Sequence, residues 1–286
     1  MKFLVPIVTP FNKDGTVNYE ALKKLTRKLL DDGADGIYAC GSSAECFLLT
    51  DEERKKTLET VVKAADGANV IAHIGAVGTY RSIEFAKHAE KCGANGISSV
   101  PPFYFSYNNQ EIKNYYWDLA NSVKIPLTIY YIPVRTGGGV GADDLVEIIN
   151  GNDNIDSIKF TDKNYQIMQT IKKKTGAFIY SGADECYNAA IAMGADGAIG
   201  TTFNNILGLY KDIYKAFSSG DTKLSADLQY KSVALINEMV KGGVLAGTKR
   251  IIKEQGIDVG TPRKPFRELT KEQEESLIKT YYELFK

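Results

Sequence analysis

A short motif with two glycines recurs three times along this chain, and it constrains the fold more than any other feature. It reads GADGIY from Gly33, GANGIS from Gly93 and GADGAI from Gly194. Each copy follows a segment with a helical pattern and precedes a short apolar run. Its first glycine is therefore suited to end a helix, and the residues after it are suited to begin a strand. The motif predicts a chain in which helices and strands alternate.

Eight short apolar runs of this kind are spaced along the first three quarters of the chain. They are 3–8, 37–40, 70–75, 97–100, 127–132, 157–161, 177–182 and 197–201. Charge-rich segments of helical length separate them, and examples are 18–32, 51–65, 80–92 and 109–122. Eight strands that alternate with helices predict parallel βαβ units, which close into a (β/α)₈ TIM barrel of the α/β class.

The barrel is predicted to occupy 1–219 and to carry the active site at the carboxyl ends of its strands. Residues 220–286 have a helical pattern broken at GIDVGTPRKP, which predicts a C-terminal helical extension packed on the barrel. A doubly wound sheet is the alternative fold. That fold favours a G-x-G-x-x-G motif after an early strand, and the sequence has none.

Charge and composition argue against several classes of partner. Lys+Arg and Asp+Glu both total 35, so the net charge is zero and no basic patch is expected for nucleic acid or a membrane surface. The apolar runs are far shorter than the ~18 residues of a membrane span, and the N-terminus lacks the pattern of a signal peptide.

Four cysteines without CxxC spacing predict reduced thiols in a cytoplasmic enzyme. With only two histidines, a zinc site built on His ligands is not expected.

Lys159 falls inside a predicted strand, whereas almost all other lysines lie in polar helical segments. Alternation along SIKFT places Ser157, Lys159 and Thr161 on the barrel interior and turns Ile158 and Phe160 toward the helices. A dry interior disfavours a charged amine, and a neutral amine is the nucleophile of Schiff-base chemistry. The alternative is a lysine whose stem packs while its ammonium reaches solvent or a carboxylate.

Tyr130 lies on the preceding strand and faces inward if Tyr131 faces outward. A phenol beside the amine of Lys159 is suited to move protons when other hydroxyls assist it. A packing tyrosine with a satisfied hydroxyl is the alternative.

Other strand ends also carry polar groups. The loop GSSAE at 41–45 offers hydroxyls and backbone N–H groups to a carboxylate, or caps the helix that starts near Thr50. Asp184 and Glu185 suit either the hydroxyls of a polyol or the start of the next helix. The glycines of 137–141 suit a rim loop or an anion cradle.

Taken together, these segments resemble a known family over essentially the whole chain. The matching motifs are VTPF at 8–11, the loop 41–45, PPFYF at 101–105, YYIP at 130–133, IKFT at 158–161 and GADGAIGTTFN at 194–204. In this order and spacing they resemble the N-acetylneuraminate lyase and dihydrodipicolinate synthase superfamily of pyruvate-dependent class I aldolases. The resemblance implies a homotetramer (a dimer of dimers) and a reaction without metal or other cofactor.

The resemblance also implies roles for individual residues. Lys159 would form an imine with a 2-oxo acid, and Tyr130, supported by Ser42, would move the proton of the C4 hydroxyl. Ser43 and nearby N–H groups would hold the pyruvyl carboxylate. Tyr104 matches the aromatic residue that family dimers insert into the neighbouring site. In the lyase branch the sugar part of the pocket is lined by residues that match Thr161, Gly182, Asp184, Glu185 and Thr201.

Two residues depart from the lyase branch. Ala44 stands where the family loop normally has glycine, and alanine is strained there if the position requires a positive φ. Arg135 matches the arginine with which synthases bind the carboxylate of aspartate semialdehyde, and it favours a substrate with a second negative group.

The predicted reaction is cleavage of N-acetylneuraminate to N-acetylmannosamine and pyruvate. The alternatives are 4-hydroxy-tetrahydrodipicolinate synthase and an aldolase of 2-keto-3-deoxy sugar acids. A barrel that only binds or senses sugar acids is a further alternative, which the presence of Lys159 and Tyr130 disfavours.

Overall fold

The computed structural model describes residues 1–137 and 140–285, and its eight strands form one closed parallel barrel in chain order. The strands are β1 (Lys2–Pro6), β2 (Gly36–Ala39), β3 (Asn69–His73), β4 (Gly96–Ser99), β5 (Leu127–Tyr131), β6 (Ile155–Phe160), β7 (Phe178–Ser181) and β8 (Gly197–Ile199). Each pairs with its neighbour in the sequence, and β1 pairs with β8 to close the barrel. The predicted (β/α)₈ fold is confirmed.

In the described part of the chain a helix follows each strand, and three more helices come after the last of these. The first eight are α1 (Tyr19–Asp31), α2 (Asp51–Ala65), α3 (Thr79–Lys91), α4 (Asn109–Asn121), α5 (Ala142–Asn150), α6 (Tyr165–Thr175), α7 (Tyr187–Ala192) and α8 (Phe203–Ser218). The C-terminal helices are α9 (Thr222–Gly242), α10 (Val244–Glu254) and α11 (Lys271–Phe285). The break predicted at GIDVGTPRKP lies between α10 and α11. The division into units 1–219 and 220–286 stays a prediction. None of the described helices is long and apolar enough to cross a membrane.

The recurring glycine motif ends helices as predicted. Gly33, Gly93 and Gly194 have φ of +90°, +90° and +92°, each one residue after a helix C-cap. A side chain is strained in this left-handed region, whereas glycine is not. The motif therefore reverses the chain from a helix into the strand that follows.

The apolar residues form an inner and an outer layer. Inside the barrel, Tyr38, Tyr130 and Tyr180 belong to one buried cluster with aliphatic side chains. Ile158 and Phe160 belong instead to the larger cluster between the strands and the helices. The alternation predicted for β6 is thus confirmed, since Lys159 lies between these two residues and packs against the inner tyrosines.

Candidate active site

Lys159 lies in the barrel interior with only 5% of its surface exposed. Its partner in β5 is Tyr130, and its Nζ is 3.9 Å from the centroid of the Tyr130 ring. The Tyr38 ring is on β2, with its centroid 4.6 Å from the same atom. Within the described part of the chain, no carboxylate forms an ion pair with Lys159. Two aromatic rings therefore contact an amine that has no counter-ion.

Tyr38 belongs to this candidate site, although its sequence position alone does not single it out. Its ring is nearly perpendicular to that of Tyr130, at 88° with centroids 6.2 Å apart, and its hydroxyl bonds to Ser98 Oγ at 3.0 Å. Burial raises the pKa of Tyr38 well above its usual value, so its phenol stays protonated. The run 37–40 is apolar at every position, so the pattern does not distinguish its inward face from its outward face.

His73 is buried beside these rings, with its ring centroid 5.9 Å from that of Tyr130. Burial, helped by the positive charges of Arg54 and Lys159, lowers the pKa of His73 well below its usual value. His73 is therefore a neutral packing residue in the wall of the site. The residues described contain no group of three His, Cys, Asp or Glu side chains that could hold a metal ion.

The loop after β2 turns tightly at the mouth of the barrel. Ser42–Ala44 form a 3-10 turn, and the Ser43 hydroxyl is 2.8 Å from the hydroxyl of Thr201, which follows β8. The Ser42 hydroxyl makes no hydrogen bond to any described residue. Thr50 caps α2 with its own side chain, so the serines are not needed for that role. Two hydroxyls and the N–H groups of the turn thus lie at the barrel mouth.

Ala44 is not strained in this turn. The positive φ angles near it belong to Cys40 (+56°) and Glu45 (+55°). Ala44 is buried, and its carbonyl oxygen accepts a hydrogen bond of 2.7 Å from the Thr9 hydroxyl. An alanine therefore fits where glycine is usual in the family, and the strain considered from the sequence does not arise.

Thr161 and Gly182 form the wall beside Lys159. A Cβ at Gly182 would lie 1.9 Å from Thr161 Oγ1 and 3.3 Å from Lys159 Cε, so a larger residue there would displace Thr161. The Thr161 hydroxyl is buried and has no hydrogen-bond partner among the residues that the structure describes. A buried polar group without a partner is unusual, and it is suited to bind a ligand.

Asp184 and Glu185 lie in different surroundings. Asp184 is buried, and its Oδ2 accepts bonds from Thr202 N (2.8 Å) and Thr202 Oγ1 (2.6 Å). Burial raises its pKa to about 6. Glu185 is half-exposed, and its Oε1 lies 3.4 Å from Lys163 Nζ. Asp184 thus connects the loops after β7 and β8, while Glu185 remains at the rim.

Arg135 and Tyr104 lie on the rim of the barrel. Arg135 is exposed at the end of the 3-10 turn Pro133–Arg135, and no carboxylate among the described residues pairs with it. Two glycines of the predicted loop 137–141, at 138 and 139, lie outside the described residues. Tyr104 is 87% exposed and has a φ of +83°, which is rare for an aromatic residue. Neither side chain reaches Lys159 within this chain.

The sequence matches the model of the Dihydrodipicolinate synthetase family over residues 1–283. The chain belongs to this family. It is 34% identical to the N-acetylneuraminate lyase of Clostridium perfringens, over 93% of each chain. It is 32% identical to the N-acetylneuraminate lyase of Lactiplantibacillus plantarum, over 98% of this chain and 96% of the relative. The solved structure of the Ruminococcus gnavus sialic acid aldolase is 30% identical, with a TM-score of 0.95 over 99% of this chain and 96% of that one.

Membership of the dihydrodipicolinate synthetase family fixes the reaction class, because its members are class I aldolases, which are carbon–carbon lyases. The family resemblance noted from the sequence is therefore confirmed. Most of the residues that carried the resemblance lie at or just after strand ends around one barrel mouth. Among them are Lys159, Tyr130, Ser43 and Thr201.

Proposed function

We propose that this protein is a Schiff-base aldolase that cleaves N-acetylneuraminate to N-acetylmannosamine and pyruvate. The observation that carries the proposal is the buried amine of Lys159, which forms no ion pair with a described residue and lies against the Tyr130 ring. The relatives named above, which cover nearly all of the chain, support this substrate.

The first step joins the 2-oxo acid to Lys159. The Lys159 amine, once it has lost its proton, attacks the C2 carbonyl and water leaves, which forms an imine. Ser42, Ser43 and the N–H groups of their turn hold the carboxylate of the substrate. The Ser42 hydroxyl has no partner among the described residues, so it is available to the bound substrate and, once the substrate is in place, to assist Tyr130.

The second step breaks the C3–C4 bond. Tyr130 takes the proton of the C4 hydroxyl, the aldehyde leaves, and the bonding electrons move into the imine to give an enamine. Protonation of the enamine at C3 and attack by water on the imine then release pyruvate and restore the amine. Lys159 supplies the electron sink, and we propose that no metal or other cofactor takes part.

The sugar portion of the substrate extends toward β6, β7 and β8. The Thr161 hydroxyl, which has no partner among the described residues, supports this placement. Gly182 leaves the space that the sugar portion of the substrate requires. Asp184, Glu185 and Thr201 complete this side. Asp184 uses Oδ2 for Thr202, so its other carboxylate oxygen is the one offered to a hydroxyl group.

Tyr104 completes the neighbouring site in an assembled dimer. Its exposure and its left-handed backbone support this role, because such a conformation persists where the surroundings impose it. The proposed assembly is a homotetramer, a dimer of dimers, in the cytoplasm.

Arg135 favours a second candidate, the condensation of pyruvate with aspartate semialdehyde, because an exposed and unpaired guanidinium is suited to bind a carboxylate. A panel of 2-oxo acids that includes 2-keto-3-deoxy sugar acids separates the candidates. We expect pyruvate release from N-acetylneuraminate and no condensation with aspartate semialdehyde. Condensation with aspartate semialdehyde without pyruvate release from N-acetylneuraminate would instead assign the protein to the synthase branch.

A further inference from the structure

A buried ion pair connects the C-terminal extension to the loop that we assign to the substrate carboxylate. Lys249, on α10, lies 2.6 Å from Glu45 Oε1, and both side chains are fully buried. Among the described residues this is the one ion pair with both partners buried. Glu45 ends the turn that contains Ser42 and Ser43, and its N–H donates to the Ser42 carbonyl at 3.0 Å.

The second oxygen of the same carboxylate is also held by the extension. Glu45 Oε2 accepts a bond of 2.7 Å from the backbone N–H of Arg263, and Lys249 donates in addition to the Thr261 carbonyl at 3.2 Å. Helix α10 thus supplies the partner of one oxygen, and the segment between α10 and α11 supplies the partner of the other. A buried carboxylate is stable only when it is paired and hydrogen-bonded in this way.

Arg263 in turn fastens this segment to the barrel. Its guanidinium donates to the carbonyl groups of Leu48 and Gly15, each at 2.7 Å, and pairs with Glu53 on α2. The Leu48 carbonyl lies in the turn that directly follows Glu45. The loop after β2 is therefore held at two points by residues of the extension.

The backbone of the loop explains why it requires such support. Cys40, just before the loop, has a φ of +56°, and Glu45, at its end, has a φ of +55°. Two residues other than glycine thus adopt the left-handed region. Such conformations are unfavourable for these residues and persist only where surrounding contacts impose them. The contacts that impose it on Glu45 include those from Lys249 and Arg263.

We infer that Lys249 and Arg263 are positioning residues of the C-terminal extension, which hold the turn Ser42–Ala44 in the conformation that binds the substrate carboxylate. They touch neither the substrate nor Lys159, and act through Glu45. The inference rests on the proposed function, since it assigns this turn to the carboxylate of pyruvate.

Borohydride trapping at different pyruvate concentrations tests the inference with the full-length protein. The trapping rate gives a half-saturating pyruvate concentration and a plateau. Lys249→Met keeps the length of the side chain but removes its charge. We expect the half-saturating concentration to rise roughly tenfold or more, because one charge-assisted hydrogen bond is lost. The plateau should remain at the wild-type level. A merely structural role would lower the plateau through loss of folded protein and leave half-saturation unchanged.

Arg250→Met is the matched control. Arg250 is the next residue on α10, and its ion pairs with Glu254 and Glu274 lie within the extension. We expect the wild-type half-saturating concentration for this variant. An equal rise in both variants would overturn the inference, because it would reflect general loosening of α10.

Glu53→Gln decides the question if Lys249→Met does not fold. Glutamine preserves the capping box that Glu53 forms with Thr50, yet it weakens the attachment of Arg263. We expect half-saturation to rise about two- to fivefold, as for a partly exposed ion pair. Unchanged half-saturation in every variant that folds would overturn the inference and leave the proposed function intact. Failure of the wild-type protein to trap pyruvate would instead overturn the proposed function.

Discussion

Lys159 and Tyr130 are direct partners on adjacent strands, and the amine of one lies 3.9 Å from the ring centroid of the other. The parallel register of β5 and β6 fixes this relationship, since both side chains point into the barrel at the same level. The amine lies over the ring, and the phenol makes no hydrogen bond to any described residue, so it is available to a substrate.

Tyr130→Phe tests the division of labour between these two residues. Phenylalanine keeps the ring against Lys159 but removes the proton carrier. We expect the imine with pyruvate to form as in the wild type, while turnover falls by roughly 10²–10⁴-fold. Mass spectrometry after borohydride treatment measures the imine, and pyruvate release measures turnover. Equal losses in both would mean that the tyrosine is mainly structural.

Gly182→Ala tests the space beside the amine. A methyl group there would lie 1.9 Å from Thr161 Oγ1 and 3.3 Å from Lys159 Cε, so Thr161 must move. We expect a strong loss of N-acetylneuraminate cleavage with the fold retained by circular dichroism. Gly208→Ala, on α8, is the control. A Cβ at Gly208 would have no atom within 4 Å apart from the neighbouring backbone of its own helix, so this variant should keep full activity. Normal activity in Gly182→Ala would mean that Gly182 and Thr161 do not line the substrate pocket.

Asp184 makes a testable contribution to the pH dependence of stability. Burial raises its pKa to about 6, whereas an unfolded chain has a value of about 3.9. Between these values the folded protein holds a proton that the unfolded chain has lost. Its stabilising contribution is therefore complete below about pH 4 and is lost as the pH rises to about 6.

The variant Asp184→Asn isolates this contribution, because its amide oxygen still accepts from Thr202. Urea unfolding gives the free energy of unfolding of both proteins at about pH 4 and pH 6.5. We expect the difference, wild type minus variant, to fall as the pH rises. A difference that stays constant or increases would contradict the assignment.

Arg135→Ala tests the choice of substrate. Arg135 is exposed and has no ion pair among the described residues, so its removal should change the free energy of unfolding by less than about 0.5 kcal/mol. We expect the rate of N-acetylneuraminate cleavage to change less than about twofold. A large loss would show that the guanidinium binds N-acetylneuraminate, which would contradict this expectation.

Periodicity predicts the barrel and the inward direction of Lys159, because strands and helices impose different spacings on apolar residues. The helix ends at Gly33, Gly93 and Gly194 are equally predictable, since only glycine adopts a left-handed backbone without strain. Sequence alone thus locates the lysine that we propose as the reactive amine.

Other features depend on contacts between residues distant in the chain. Tyr38 was missed because its strand is apolar on both faces. The sequence offers Asp184 either to a polyol or to the start of the next helix, whereas in the structure Thr202 occupies one of its oxygens. The pair of Glu45 and Lys249 joins residues 204 positions apart, and no local pattern predicts it.

Mass analysis of the protein after borohydride reduction with pyruvate tests the central claim most directly. Reduction of the imine would leave one pyruvate-derived group on the peptide that contains Lys159. The account predicts this adduct in the wild type and its absence in Lys159→Ala. No adduct in the wild type, or an adduct that persists in Lys159→Ala, would contradict it.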